Sequence, residues 1–230
     1  LYQHKNLHFV AVSHWLEERC RESSIMRHCD VQVVPNAFPI GDFAPEYAPY
    51  ADIPKDKTVL VMGAARLDDD VKGFPMLIAM TEQLSRLPEG KNMHLVLFGD
   101  IRDAQLLSKL AIPYTYLGRV SPRDVSGIYR ASHVVLSTSL YETLPGTLIE
   151  GMASGCMAVS FGRGGQADII EHQRTGYIAR FGDAADFAQG VVWASINALP
   201  RTSLHESMRS KFAAEQVAQR YSEIFEKITK

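Results

Sequence analysis

Short apolar runs alternate along the chain with stretches whose apolar positions recur at helical spacing. The runs are apolar throughout rather than at every second residue, as in strands buried on both faces of a parallel sheet. They predict strands at residues 7–12, 31–34, 58–64, 93–99, 114–117, 134–137, 157–161 and 176–179. Capping residues and helical periodicity predict helices at 14–26, 74–87, 103–111, 183–198 and, as one final helix, 203–228. Shorter helices are expected from Ser121-Pro122, within 137–165 and up to 169–171.

This alternation of strands and helices predicts an α/β fold, a Rossmann-like parallel sheet with helices on both faces. Ligands of such sheets bind beyond the carboxyl ends of the strands, near a switch in strand order. Polar loops follow the predicted strands at such positions, after Ala64, Gly99, Gly118, Thr138 and Phe161. Residues 35–57 hold five prolines and little periodicity, and they are interpreted as a linker or surface loop.

Composition narrows the function classes only slightly. Hydrophobic residues make up 46% and charged residues 22% of the 230, as in ordinary globular proteins. The net charge of −2 and the absence of a basic run disfavour nucleic acid as a partner. Three cysteines without a CxxC pair suit a reducing compartment, and no apolar run has the length of a membrane span. The first residue is not Met, so we expect a fragment of a larger protein.

Residues 137–165 carry the densest candidate chemistry. A helix is expected to start near Gly146, and its unpaired backbone N–H groups, at Leu144, Gly146, Thr147 and Leu148, would attract an anion. Glu142 and Glu150 flank this start and suit hydroxyl groups better than phosphates. A nucleotide sugar carries both kinds of group. Acid/base hydrolysis by two carboxylates and a purely structural Glu150 on the helix surface are the alternatives.

Three other loops could complete such a site. Arg66 and Lys72 could converge on a pyrophosphate, or they could be surface cations paired with Asp68–Asp70, which we expect to point into solvent. The turn at residues 117–120 could contact a nucleobase or simply join a strand to a helix. The glycine-rich loop at 162–165 suits phosphate or sugar but is weakly specific. No histidine has metal-ligand spacing, so a metal site is disfavoured.

Taken in order, these loops resemble the retaining family 4 glycosyltransferases of the GT-B fold, over nearly the whole chain. The matching motifs are Arg-x5-Lys-Gly, Leu-Gly-Arg-Val, Ser-x4-Glu-x7-Glu-x-Met-Ala-x-Gly, Gly-Gly-x-x-acid and a later Gly-Tyr turn; they start at Arg66, Leu117, Ser137, Gly164 and Gly176. Departures are modest: Thr143 stands where Gly is common, Gly151 where Ala is, and Asp168 where Glu is. Cys156-Met157 replaces a common Thr-Pro.

The resemblance implies a role for each matching residue. Arg66 and Lys72 would hold the donor diphosphate as the leaving group, and Glu142 would contact the transferred sugar; these three are the candidate catalytic residues. Glu150 would bind the ribose. The remaining expected donor contacts are the base turn and the segments facing the sugar and distal phosphate, Gly118, Arg119, Val120, Thr143, Leu144, Pro145, Gly146, Thr147, Gly164 and Gly165.

The resemblance also implies a division of the chain. Residues 1–35 would end an N-terminal acceptor domain and cross over, 36–200 would bind the donor, and 201–230 would pack back as a helix. The implied reaction transfers a sugar, with retention and without a metal or prosthetic group, from a UDP- or GDP-linked donor to a saccharide or lipid-linked acceptor. The expected context is bacterial polysaccharide or glycoconjugate synthesis in the cytoplasm, with association at the membrane surface.

A sugar-nucleotide epimerase or a phosphorylase would share the sheet and stays open as an alternative. A non-catalytic nucleotide-sugar-binding module is an alternative of a different class. Since half of the implied cleft would lie outside these residues, we expect the chain alone to transfer no sugar.

Overall fold

The structure is a computed structural model and describes residues 7–229. Its strands are β1 (Phe9–Ala11), β2 (Val31–Val33), β3 (Thr58–Arg66), β4 (Met93–Asp100), β5 (Tyr114–Tyr116), β6 (Val134–Ser137), β7 (Met157–Phe161) and β8 (Gly176–Ala179). Its α-helices are α1 (His14–Glu22), α2 (Phe74–Ser85), α3 (Pro122–Arg130), α4 (Gly146–Ala153), α5 (Gln166–Ile169), α6 (Ala184–Ile196), α7 (Arg201–Phe212) and α8 (Ala214–Ile228). None of the helices in residues 7–229 is both long enough and apolar enough to cross a membrane.

Six strands form one parallel sheet in the order β5-β4-β3-β6-β7-β8, and β1 pairs with β2 in a small separate sheet. The chain moves outward from β3 to β5, returns to the centre at β6, and then moves outward in the other direction to β8. Since the crossovers run in opposite directions and are right-handed, α2 and α4 cover opposite faces. The predicted Rossmann-like α/β fold is confirmed, and its switch point lies between β3 and β6.

The burial of the central strands explains why their continuous apolar runs predicted them from the sequence. Every residue of β6 and β7 is buried, since helices cover both faces of the central sheet. On one face α2 packs against α6, and on the other α4 packs against α3 and α7. Gly151 brings α4 so close to β6 that a Cβ at this position would lie 2.7 Å from Cβ of Val135. This contact fixes where α4 begins relative to the ends of the strands.

Three predicted helices differ clearly from those observed. The final helix is interrupted at Ala213, whose backbone is extended, so that α7 and α8 are separate helices. Phe38 donates its backbone N–H to the carbonyl of Phe212 over 2.9 Å, and this long-range pairing replaces a helical hydrogen bond. The predicted helix at 103–111 is a 3-10 helix, Ala104–Lys109, and α1 ends four residues earlier than its predicted limit, residue 26.

The proline-rich segment 35–57 has little regular structure beyond a 3-10 turn at Ile40–Asp42. Three of its apolar side chains, Ile40, Phe43 and Ile53, are nevertheless buried in the main core. The segment therefore packs along the body of the sheet and helices instead of standing free in solvent, and it contributes to the cavity described next.

Candidate functional site

A cavity of about 970 Å³ opens at the switch point of the sheet. One wall is the ends of β3 and β4, with Ala64, Ala65 and Gly99, and another is the first turns of α3 and α4. The proline-rich segment closes it with Pro39, Asp42 and Phe43. A cavity at this place in an open α/β sheet is where a ligand is expected.

The N-terminus of α4 provides polar groups to this region. Pro145 precedes the helix and has no side chain that can cap it. The expectation that the N–H of Leu148 is unpaired is wrong, because it donates to the carbonyl of Pro145 over 3.2 Å. The described residues offer no hydrogen-bond acceptor to the backbone N–H groups of Thr143, Leu144, Gly146 and Thr147. These groups and the partial positive charge of the helix end favour an anion at this point.

Glu150 lies one turn into α4 and lines the cavity together with Thr147. Burial raises the pKa of its carboxyl to about 7. Within residues 7–229 its side chain has neither an ion pair nor a hydrogen bond. Its Oε1 would be 3.9 Å from a Cβ built on Gly146, which places the carboxyl beside the start of the helix. A half-buried acid without a partner, with a perturbed pKa and at a cavity, marks a candidate ligand contact.

Lys72 and Glu142 form an ion pair, with 2.5 Å between Nζ and Oε1. Two hydrogen bonds hold their loops together: Thr138 Oγ1 donates to the carbonyl of Lys72 over 2.9 Å, and Leu140 N–H donates to the carbonyl of Val71 over 2.7 Å. Lys72, one of the two cations predicted for the diphosphate, is thus brought together with Glu142, the residue predicted for the sugar. Neither of them lines the cavity that contains Glu150.

Arg66 at the end of β3 is paired with two carboxylates. Its Nη2 is 2.6 Å from Oδ2 of Asp69, and its Nε is 3.7 Å from Oδ1 of Asp68. The expectation that Asp68 points into solvent is wrong, because its side chain is only 9% exposed and accepts the backbone N–H groups of Arg102 and Asp103. Arg66 thus makes the ion pairs with the acidic run that the alternative of surface cations describes. For Lys72 the partner is Glu142 instead.

The glycine-rich loop contacts the Glu142 loop through its backbone. Gly165 N–H donates to the carbonyl of Glu142 over 3.0 Å. A Cβ at Gly164 or Gly165 would lie within about 2.2 Å of the carbonyl oxygens of Glu142 and Thr143, and Gly164 has a φ of +129°. Only glycine permits this approach, so these residues position the loop before α4.

The turn after β5 forms part of the cavity wall. Gly118 has a φ of +65°, and its carbonyl accepts the N–H of Gly99 over 2.7 Å. This bond ties the turn to the end of β4 and places Arg119 and Val120 along the cavity. Arg119 also pairs with Asp100 over 3.2 Å.

Most of the predicted residues that these contacts place form two groups, and Arg66, paired with Asp68 and Asp69, belongs to neither. Arg119, Val120, Thr147 and Glu150 line the cavity, while the second group consists of the Lys72–Glu142 pair and the glycines packed against its loop. Sequence reasoning missed the cavity residues of the proline-rich segment and of α3, namely Pro39, Asp42, Phe43, Pro122, Arg123, Val125 and Ser126. The only sequence feature that could have indicated any of them is the spacing of Arg123 and Ser126, which lie three residues apart, and so on one face of the helix that starts at Ser121-Pro122.

Comparison with known proteins identifies the family. The sequence profile described as "Glycosyl transferases group 1" matches residues 56–196, which is more than half of the chain and spans β3 to α6. The chain belongs to the group 1 glycosyl transferases. The matched region contains Arg66, Lys72, Glu142 and Glu150, and therefore both groups of the candidate site.

Individual relatives are distant. The gpi3 subunit of phosphatidylinositol N-acetylglucosaminyltransferase from Schizosaccharomyces pombe is 24% identical over 96% of this chain and 49% of its own length. A glycosyltransferase from Rickettsia africae has a TM-score of 0.82 at 21% identity, over 98% of this chain and 64% of the other. Anabaena HepE in complex with UDP-glucose has a TM-score of 0.75 at 19% identity, over 95% of this chain and 63% of the other. The chain spans about half the length of the curated relative and shares the fold of both structures.

Proposed function

We propose that this group 1 glycosyl transferase chain binds the nucleotide-sugar donor of a retaining sugar transfer. The observation that carries the proposal is Glu150, an unpaired acid in a cavity beside the open N-terminus of α4. A carboxylate suits the hydroxyl groups of a ribose, and the N–H groups next to it suit phosphates. One ligand that spans the two is a nucleoside diphosphate linked to a sugar.

In this arrangement the base would lie near Gly118, Arg119 and Val120, and the ribose at Glu150. The diphosphate would extend along the start of α4, at Thr143–Thr147, toward Arg66 and Lys72. The present partners of these two cations are carboxylates, Asp69 and Glu142, so a phosphate would exchange one anion for another. Glu142, released from Lys72, would then face the hydroxyl groups of the sugar, with Gly164 and Gly165 behind its loop.

The proposed chemistry needs no nucleophile from the protein. The acceptor hydroxyl would bond to the anomeric carbon on the face from which the diphosphate oxygen departs, and the proton would pass to the departing phosphate. Arg66, Lys72 and the α4 N-terminus would stabilise the charge on the leaving diphosphate in place of a metal ion. Retention predicts that the product keeps the anomeric configuration of the donor, which NMR of the product checks.

The relatives suggest what to test first. Anabaena HepE was determined with UDP-glucose, and the S. pombe relative is named for an N-acetylglucosaminyl transfer, so UDP-linked sugars are the first donors to screen and GDP-linked sugars the second. We further propose that the acceptor, a saccharide or a lipid-linked one, binds to the part of the longer protein preceding β1. A bacterial glycoconjugate pathway, a cytoplasmic location and contact with a membrane surface stay predictions from the resemblance.

Calorimetry tests the site assignment. Arg66→Ala and Lys72→Ala should each weaken binding of a nucleoside diphosphate by about tenfold or more, because each removes a charged partner of the phosphates. Binding of the matching nucleoside should hardly change. Lys91→Ala, at an exposed lysine of the 3-10 turn before β4, is the control. Equal losses for nucleoside and diphosphate in the Arg66 and Lys72 variants would contradict the proposal.

A further inference from the structure

Arg66 is held by two adjacent carboxylates that differ in their surroundings. Asp69 is 40% exposed and forms the short pair with Nη2 of Arg66, at the outer edge of the guanidinium. Its other oxygen accepts the backbone N–H of Val71 over 3.1 Å, which caps the 3-10 turn Asp70–Lys72. The bond to Arg66 is thus made by a side chain that is open to solvent and therefore open to exchange with a ligand.

The side chain of Asp68 is only 9% exposed and faces Nε of the guanidinium. Its Oδ2 accepts the N–H groups of Arg102 at 2.9 Å and Asp103 at 3.0 Å, so it ties the loop after β3 to the loop after β4. Burial alone would raise the pKa of this carboxyl. The hydrogen bonds from the backbone of Asp103 and Arg102 and the charge of Arg66 outweigh that effect and lower its pKa, so the group is a fixed negative charge.

Among the residues that the structure describes, two buried atoms of this pair find no hydrogen-bond partner, Nε of Arg66 and Oδ1 of Asp68. They face each other at 3.7 Å, slightly too far for a hydrogen bond. Buried polar atoms are costly when unpaired, so a small rotation of the guanidinium toward Asp68 would be favourable. The short bond to Asp69 opposes that rotation because it holds the other end of the guanidinium.

We propose that Asp68 is a positioning residue that anchors Arg66 for the donor diphosphate, and that Asp69 occupies the place of the diphosphate and competes with it. This inference rests on the proposed function. When a phosphate replaces Asp69 on Nη2, the guanidinium is free to close the gap between Nε and Asp68. The two neighbouring carboxylates thus act on diphosphate binding with opposite signs.

The test compares three variants that remove the same formal charge from one short loop, Asp68→Asn, Asp69→Asn and the control Asp70→Asn. Asp70 is exposed, and within residues 7–229 its side chain makes neither a hydrogen bond nor an ion pair. UDP, GDP and ADP are titrated calorimetrically against each variant together with the matching nucleosides. The ratio of diphosphate affinity to nucleoside affinity reports the contribution of the phosphates to binding, separately from that of the base and the ribose.

Relative to Asp70→Asn, this ratio should rise about two- to fivefold in Asp69→Asn, as expected from the loss of one exposed competing ion pair. It should fall about tenfold or more in Asp68→Asn, because the half-buried guanidinium loses its anchor. A purely structural Asp68 would instead weaken nucleoside and diphosphate alike. Asp68→Glu, which restores the charge, should recover part of the ratio and serves as a second variant if Asp68→Asn folds poorly.

A fall of the ratio in Asp69→Asn, or an unchanged ratio in Asp68→Asn, would overturn the inference. Arg66→Ala separates this failure from that of the proposed function. If Arg66→Ala lowers the ratio but the aspartate variants do not change it as predicted, only the inference is wrong. If Arg66→Ala leaves the ratio unchanged, the diphosphate site itself is misassigned and both proposals fall.

Discussion

Replacing Glu150 by Gln separates the stability of the fold from ligand binding. The amide has nearly the shape of the carboxyl but cannot ionise. Burial raises the pKa of Glu150 from 4.5 to about 7, so between these pH values the folded chain binds more protons at this position than the unfolded chain. The stability contributed by this group therefore falls as the pH rises from 4.5 to about 7, and it stays low above that range.

The size of this loss of stability follows from the two pKa values, 4.5 and about 7. A tenfold change in the protonation constant is worth about 1.4 kcal/mol, so a pKa moved from 4.5 to about 7 costs the folded state at most about 3 kcal/mol above pH 7. At pH 5 the cost is below about 1 kcal/mol, since most of the group is then protonated in the fold. Glu150→Gln should thus be more stable than the parent chain by up to about 3 kcal/mol at pH 8, and by much less at pH 5.

Urea unfolding between pH 5 and pH 8 measures this difference. Glu82→Gln, at an exposed glutamate of α2, is the control and should change neither the stability nor its pH dependence. At pH 8, where the carboxyl is ionised, the same Glu150→Gln variant should bind nucleosides about tenfold more weakly, because the ribose loses a charged acceptor. If Glu150→Gln and the parent show the same pH dependence of stability, the assignment of a buried, unpaired carboxyl is wrong.

Two further substitutions test the packing that positions the site. Gly151→Ala should destabilise the chain by about 1–3 kcal/mol, because the added Cβ would lie 2.7 Å from Cβ of Val135. The control is Gly41→Ala, which should be close to neutral because Gly41 has open space around it. Thermal unfolding compares the stabilities of the two variants. Arg201→Ala should cost about 3 kcal/mol or more, since this side chain donates to the carbonyls of Pro45, Arg130, Ser132 and Ser154. Urea unfolding measures it against Arg209→Ala, which loses only an exposed contact with Glu206; equal effects of these two substitutions would contradict the structural role of Arg201.

The fold was predictable where the determinant is local. The last three strands of the main sheet have the predicted bounds, because their apolar runs end at polar or glycine-containing loops. The break between α7 and α8 was not predictable, because Ala213 is a good helix former and the interruption depends on pairing with Phe38, far away in the sequence. At Ala213 a tertiary hydrogen bond, between Phe38 and Phe212, thus overrides the local helix propensity.

Part of the candidate site could be predicted from the sequence, but the pairings of its residues could not. Motif order suffices to select Arg66, Lys72, Glu142 and Glu150. It carries no information on which carboxylate each cation contacts, or on how deeply Asp68 is buried, since those depend on loops that meet only in the folded chain. The contribution of Asp42 to the cavity has the same origin, because a proline-rich segment shows no periodicity by which its packing could be predicted.

A structure of the chain with its tightest-binding nucleotide sugar, chosen from UDP-, GDP- and ADP-linked sugars by thermal shift, tests the central claim most directly. We expect the nucleoside to lie in the cavity of about 970 Å³, with the ribose hydroxyls bound to Glu150 and the diphosphate bound to the backbone N–H groups at the start of α4. Arg66 should then contact phosphate instead of Asp69. A nucleotide sugar bound away from this cavity, or no binding of any member of the panel, would contradict the account.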